Sequence, residues 1–313
     1  MLLTPGATFA VDRPAAPAPE KPAEAPLSPV ELARARELRE LVETGQKMLA
    51  QFARDEAEGA SSLPRAERER RVNDLVTRYE TLLKQAPDDL GTLILFGKYL
   101  RAVGYDDRAF EVFSRADRLD GDLAVVKHQL GAHHAEQGEF AEALPLLSRA
   151  AALEPETARY RYDLAEFLST AGDRLAAEGK LPRETRDKLM LEHFAAAARL
   201  RPDEAGYRWR AAEAYHEVRG ADAKKALAMW DALLPLAKGD LEREVIGLHR
   251  ARWLVDLNRT DEARALVFAS KTPALDTTRR QLLDRLMRAE PGLRAPFSGN
   301  DPARPATSSA TNP

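Results

Sequence analysis

The chain has 313 residues, with 47 Lys and Arg against 50 Asp and Glu for a net charge of −3, 44% hydrophobic residues and no cysteine. This near balance removes any bulk electrostatic drive toward nucleic acid or an anionic membrane, and the lack of Cys removes disulfides, thiolate metal sites and cysteine nucleophiles. Nowhere do about 18 apolar residues run consecutively, so the sequence predicts no membrane-spanning helix.

Of the 20 prolines, six fall in Met1–Leu27 and five in Pro291–Pro313, among Ala, Ser, Thr and Gly. Such segments cannot bury enough apolar surface to form a core, and both are expected to be disordered, extended linkers. Met1–Ala10 is apolar and uncharged and ends in Thr8-Phe9-Ala10, similar to a small-x-small signal-peptidase site, but it lacks a basic start and is short. Two readings stay open. Met1 lies inside a longer secretory signal, which implies export to the periplasm, or this is simply the N-terminal segment of a cytoplasmic protein. The expected organisation is a tail over 1–27, a helical body over 28–290 and a second tail over 291–313.

Within the body, apolar residues recur at intervals of three and four, and no alternating β-branched run suggests a sheet. A long helix is expected from about Pro29 to Glu58, opened by Ser28 as N-cap, Pro29 in the first turn and Glu31 as an early acid. Tyr79, Leu82 and Pro87 mark the end of the next helix. Then LILFGKYLRAVGYDDRAFEVFSRADRLDG aligns with VKHQLGAHHAEQGEFAEALPLLSRAAALEP. Gly97 pairs with Gly131, Gly104 with Gly138, Ala109 with Ala143, Phe113 with Leu147, Ala116 with Ala150, Leu119 with Leu153 and Gly121 with Pro155, always at the same offset along the chain.

Gly97 and Gly131 are expected where two helices of a hairpin approach closely. Gly104 and Gly138 supply the left-handed residue that ends the first helix, Phe113 and Leu147 fill the space between successive hairpins, and Pro155 stops the second helix. A third unit carries Leu164, Ala165, Leu168 and Gly172, then Phe194, Ala197, Leu200 and Pro202. It is longer than its neighbours because DRLAAEGKLPRETRDKL stands where they have a short turn, read as both helices overshooting by one or two turns around a turn at Gly179–Pro182. A fourth unit contains Ala212, Tyr215, Gly220, Ala226, Trp230 and Leu233, and a fifth Ala251, Leu254, Asn258, Ala263 and Val267. Thr277–Glu290 reads as a capping helix, with Leu282, Leu283, Leu286 and Met287 on one side and arginines on the other.

This pattern of two helices in a repeat of about 34 residues, with small residues at fixed places and a closing Pro, resembles the tetratricopeptide repeat, strongly over Gly91–Pro155 and more weakly across Pro64–Pro273. The resemblance implies an all-α superhelical solenoid of helical hairpins with capping helices. It further implies that the first helices line a concave groove that binds a protein partner as a peptide or a helix. Carried over residue by residue, the groove takes Ile94, Lys98 and Arg101, then His128 and Ala132, then Arg159, Tyr162 and Glu166. Trp209, Glu213 and His216 follow, and Leu248 and Arg252 close the row. Tyr162 and Trp209 read either as aromatic anchors for a partner or as packing against the neighbouring helix. Some family members clamp a chaperone tail with Lys and Asn, but here Lys98 stands where that clamp wants Asn and Ala132 replaces another polar member.

No motif for chemistry emerges. Lys98 follows Gly97 as in a phosphate loop, but the motif needs Gly where Thr92 stands and Ser or Thr where Tyr99 stands. The histidines His128, His133, His134, His193, His216 and His249 never recur at three or four residues, the spacing that lets two rings share a helix face for a metal. His134 is expected in the core with one ring nitrogen bonded. Glu154/Glu156 and Asp106/Asp107 sit in turns beside helix ends. Arg65–Arg71 mixes two Glu among its arginines and reads as a solvated helix face, not a nucleic-acid footprint. The sequence therefore points to a non-enzymatic interaction scaffold with no cofactor and no metal. Two alternatives stay open: a self-associating structural protein using Asp173–Leu189 or Thr277–Glu290, or a metal or catalytic site assembled across repeats. The oligomeric state is left open.

Overall fold

The computed structural model describes residues 28–59 and 63–289; both Pro-rich tails and the Met1–Ala10 segment lie outside them. Among the described residues the regular structure is thirteen α-helices and three short 3-10 turns, with no strand. The chain divides into two compact units, Met1–Pro87 and Asp88–Pro313.

In the first unit α1 (Pro29–Ala57) packs against α2 (Arg65–Gln85). The expected start of α1 is present as a full capping box: the Ser28 hydroxyl accepts from the Glu31 backbone N–H, and the Glu31 carboxylate accepts from the Ser28 N–H at 2.7 Å. Asp55, buried on α1, is compensated by Arg68 of α2 at 2.8 Å, whose guanidinium also lies 4.6 Å above the Phe52 ring. Along RAERERR, Glu67 accepts from both Arg70 and Arg71, the intrahelical pairing expected of a solvated face.

The second unit is a stack of hairpins: α3 (Leu90–Ala102) with α4 (Asp106–Leu119), α5 (Ala124–Glu136) with α6 (Phe140–Leu153), and α7 (Ala158–Ala177) with α8 (Arg183–Leu200). Next come α9 (Ala205–Glu213), continued by a 3-10 turn at Ala214–His216, with α10 (Ala223–Asp231), and α11 (Asp240–Asp256) with α12 (Thr260–Ala269). The last helix, α13 (Asp276–Ala289), lies against both α11 and α12. Each second helix also touches the following first helix, so the helices pack chiefly on their sequence neighbours. This is the stack of two-helix hairpins that the repeat period indicates.

Four of the turns share one device. Gly104, Gly138, Gly179 and Asn258 have φ of 81°, 77°, 70° and 57°. In each case the next N–H closes back five residues: Tyr105 to the Leu100 carbonyl, Glu139 to His134, Lys180 to Leu175 and Arg259 to Leu254, all at 2.8–2.9 Å. Asn258 thus fills the glycine place of the fifth hairpin, a substitution its short polar side chain tolerates. A methyl built on Gly97 would lie 2.7 Å from the Phe113 ring, and one on Gly131 2.9 Å from Leu147 Cγ. Phe113 and Leu147 therefore pack onto the first helix of their own hairpin, a role the alignment had given to the space between hairpins.

The third hairpin is extended as its length requires. With 20 residues against 13, α7 is about 10 Å longer than α3 or α5. Gly172 does not end this helix but lets Arg186 of α8 pass, whose Cγ would lie 2.6 Å from a methyl there. His134 has one ring nitrogen bonded as expected, Nδ1 2.6 Å from Glu139, but its side chain is 21% exposed and not fully buried, while the adjacent His133 is buried and stacks on Phe110 with centroids 4.5 Å apart. A helix that turns by about 100° per residue points neighbouring side chains in different directions, so the deeper place falls to His133 and the shallower one to His134.

Candidate functional site

The first helices α3, α5, α7, α9 and α11, with the 3-10 turn that continues α9, carry all the residues singled out for partner binding. At the start of the row, Ile94 is half-buried, Ala132 likewise, and Lys98 is exposed with no hydrogen-bond or ion-pair partner among the described residues. Arg101, at the far end of α3, donates to both carboxylate oxygens of Glu136 on α5 at 2.7 and 2.6 Å. These bonds hold the Glu136 carboxyl below the usual range.

From α5 onward the same contact recurs between successive first helices. His128, 8% exposed, lies 2.7 Å from the Asp163 carboxylate of α7, and Arg159 donates to the same oxygen at 2.5 Å. Burial pushes the Asp163 carboxyl up, yet the His128 and Arg159 hydrogen bonds outweigh it and hold the group below its ordinary value. One repeat later Glu166 accepts from Arg210 of α9 at 2.8 Å. The same guanidinium reaches Ser169 at 2.8 Å and Glu217 at 2.8 Å, and lies 4.4 Å over the Phe194 ring. The following step joins His216 to His249 of α11, Nε2 to Nδ1 at 3.0 Å, one nitrogen donating to the other.

Asp163, Arg210 and His249 each stand two residues before the small residue of their helix, Ala165, Ala212 and Ala251. A residue in that place reaches back to the preceding repeat. The sequence pattern selected one member of each rung, His128, Glu166 and His216, and missed the other, although the fixed offset from the small residue was there to find.

The aromatic residues on this face are committed to the stack. The Tyr162 ring packs against Tyr207 at 4.8 Å and edge-on to Phe194 at 5.6 Å, and burial together with Glu166 pushes its phenol up to about 12. Trp209 donates its indole N–H to Glu213 at 2.7 Å and sets its ring edge-on to Trp230 at 5.2 Å. His249 stacks parallel to Trp230 at 4.0 Å and His216 parallel to Trp253 at 4.9 Å, so every tryptophan of the chain belongs to one cluster around two histidines. Burial drives the His216 imidazole down to about 3 and that of His249 to about 4, with the Arg252 charge adding to both. The cluster gathers two histidines from different repeats but no third ligand: no group of three or more His, Asp or Glu able to hold a metal exists among the described residues.

At the C-terminal end Leu248 is only 2% exposed and belongs to the core beneath the surface, whereas Arg252 is exposed. Both border a cavity of about 340 Å³ between α11 and α13, completed by Val245, His249, Leu275, Thr278, Gln281, Leu282 and Arg285. Arg285 is ion-paired with Asp256. Arg252 makes no ion pair among the described residues, and burial followed by the Arg285 charge lowers its pKa against the opposing charge of Asp256. The carboxylates of this face are mostly engaged within the chain: Glu136, Asp163 and Glu166 accept from in-chain cations and Glu213 from an indole N–H, while Lys98 has no partner and Arg252 no hydrogen bond or ion pair among the described residues.

No protein-family model matches the sequence. Cellulose synthase 2 operon protein C of Komagataeibacter xylinus is 31% identical over 118 residues, which is 37% of this chain and 9% of that protein. This chain therefore spans less than a tenth of that relative's length. Among solved structures, YrrB, described as a TPR protein with an unusual peptide-binding site, is 16% identical over 68% of this chain and 93% of its own, with a TM-score of 0.47. MamA is 19% identical with a TM-score of 0.42 over 62% and 91%. MamA from residue 41 onward of Desulfovibrio magneticus RS-1 is 20% identical with a TM-score of 0.41 over 62% and 94%.

Proposed function

We propose that the row of first helices in residues 88–289 is a preformed recognition surface for an acidic peptide segment or helix of a protein partner, and that the protein acts as a non-enzymatic interaction scaffold. The observation that carries this reading is the cationic donors left unengaged on the face. Its carboxylates are engaged within the chain, whereas Lys98 and Arg252 are exposed and unpaired and Arg159 projects beyond Asp163 with 71% of its side chain exposed. A ladder locked by His128–Asp163, Glu166–Arg210 and His216–His249 would need little reordering on binding, which lowers the entropic cost of association. Unmatched rim cations would steer an acidic partner and set its register.

The test is affinity capture from the source organism with the intact protein beside a Lys98→Glu, Arg159→Glu, Arg252→Glu variant of verified helicity. Tyr162 and Trp209 are left unchanged, because their rings pack inside the stack and their removal would disturb folding. A partner retained by the intact protein and lost from the variant, with binding that weakens as salt is raised, is the expected result. Equal retention by both would move the binding surface elsewhere.

A further inference from the structure

We infer that the α11–α13 cavity is a binding site for a carboxylate carried next to an apolar group. This deepens the reading of an acidic partner by giving it a seat. Its lining is of two kinds. Val245, Leu248, Leu275 and Leu282 are apolar, while Arg252, Arg285, His249, Thr278 and Gln281 carry donors. No Asp or Glu is among the lining residues, so the two guanidiniums meet no negative charge inside the cavity. Asp256 balances Arg285 by its ion pair, which leaves Arg252 as net uncompensated charge beside a partly desolvated space. Two like charges lining one cavity repel, and an anion bound there would relieve that repulsion.

A guanidinium offers paired N–H donors that match the two oxygens of a carboxylate, and Thr278 and Gln281 can add hydrogen bonds from α13. The volume of about 340 Å³ lies at the small end of the range for ligand pockets. It suits one side chain with its charged group and not a folded domain. Two sources present that chemistry, the last residue of a partner chain and an Asp or Glu beside a Leu within it.

The tryptophan cluster supplies the readout, since His249 both lines the cavity and stacks on Trp230 at 4.0 Å. Full-length protein is titrated, following tryptophan fluorescence, with N-acetyl-leucine, with N-acetyl-aspartyl-leucinamide and with the uncharged N-acetyl-leucinamide. The expected result is a saturating change with at least one of the two carboxylates, about tenfold tighter than with the neutral amide. Preference for N-acetyl-leucine would identify a chain terminus, and preference for the aspartyl compound an acidic side chain. Arg252→Gln should weaken the carboxylate about tenfold and leave the amide unchanged, and Arg252→Lys, which keeps the charge but loses the paired donors, should fall between the parent and Arg252→Gln. Arg252 is exposed and makes no hydrogen bond among the described residues, so these variants should fold normally. Lys98→Glu, far along the row, should have no effect here although it weakens capture of a long partner. Carboxylates and amide binding alike, or Arg252→Gln without effect, would overturn the site while leaving the wider surface to be judged by capture alone.

Discussion

Gly97 and Gly206 both lie in helices, yet the space around them differs enough to give opposite predictions. A methyl on Gly97 would stand 2.7 Å from the Phe113 ring, which is itself fully buried and cannot swing away. Gly97→Ala should therefore destabilise by about 1–3 kcal/mol through overpacking. Around Gly206 nothing comes within 4 Å, and Gly206→Ala should stabilise by up to about 1 kcal/mol through the better helix propensity of alanine. Urea unfolding of the two variants beside the parent gives both signs in one experiment. The His216–His249 pair makes a second prediction at this scale. Both imidazoles ionise less readily when folded, near 3 and 4, than at the ordinary 6.5. Above pH 6.5 both folded and unfolded states are neutral and nothing is lost. As the pH falls below 6.5 the unfolded chain takes up protons that the folded chain refuses, so stability drops through the window from 6.5 down to about 4 and 3. The limit is about 1.4 kcal/mol per pH unit for each ring, and water at the partly exposed rings reduces it to about half. Unfolding midpoints from pH 7 to 5.5 should fall more steeply for the parent than for a His216→Gln, His249→Gln variant; parallel slopes would show that the pair does not titrate on unfolding.

At the scale of the element, the third hairpin shows what a sequence can and cannot convey. Its extra length, the turn at Gly179 and the continuation of both helices follow from periodicity and punctuation alone. That Gly172 is an opening for Arg186 does not, because its spacing also fits a helix-ending glycine; only the facing helix decides. Arg186 is 4% exposed, with NH2 donating to Asp173 at 2.9 Å, while its Nε stands 2.9 Å from Asp187 without the alignment of a hydrogen bond. Its stem crosses Gly172 while NH1 donates to Met190 Sδ at 4.0 Å, so it serves as filler as much as charge. Arg186→Ala should cost about 3 kcal/mol, combining a cavity with a carboxylate left facing it. Arg186→Met should cost less than Arg186→Ala, because it refills the space and Asp173 is exposed enough to regain water, while Asp187, at 17% exposed, still loses the charge facing it. Chemical denaturation of both variants separates packing from charge: equal losses would mean that the ion pair, not the stem, holds this hairpin. The same limit explains the ladder between first helices. The repeat frame found Glu166 and His216, but their partners Arg210 and His249 lie 44 and 33 residues away on neighbouring helices. Pairing of that kind depends on how far a side chain reaches across a repeat boundary, which hydrophobic periodicity does not encode.

For the molecule as a whole, the consequence of packing on sequence neighbours is that stability is local. In residues 88–289 no helix is held by elements far along the chain, so each hairpin depends on its own interface and the two beside it. The fifth hairpin has its second neighbour in α13, whose Leu282 and Leu286 are buried in one cluster with Leu254 and Val267 of α11 and α12. Removing those two side chains with Leu282→Ala and Leu286→Ala should cost about 2–5 kcal/mol each at that end. A globally cooperative fold would spread the loss over every amide. A stack coupled only through nearest neighbours should instead show faster hydrogen exchange through α11, α12 and α13, a smaller change in α9 and α10, and none in α3 to α6. Exchange measured by mass spectrometry on the double variant resolves these segments directly. The graded pattern is expected, because the small residues that let each hairpin close, Gly97, Gly131, Ala165, Ala212 and Ala251, make every unit a separate fit of two helices. Acceleration of equal size from α3 to α13 would show that the polar ladder along the first helices binds the repeats into one cooperative body.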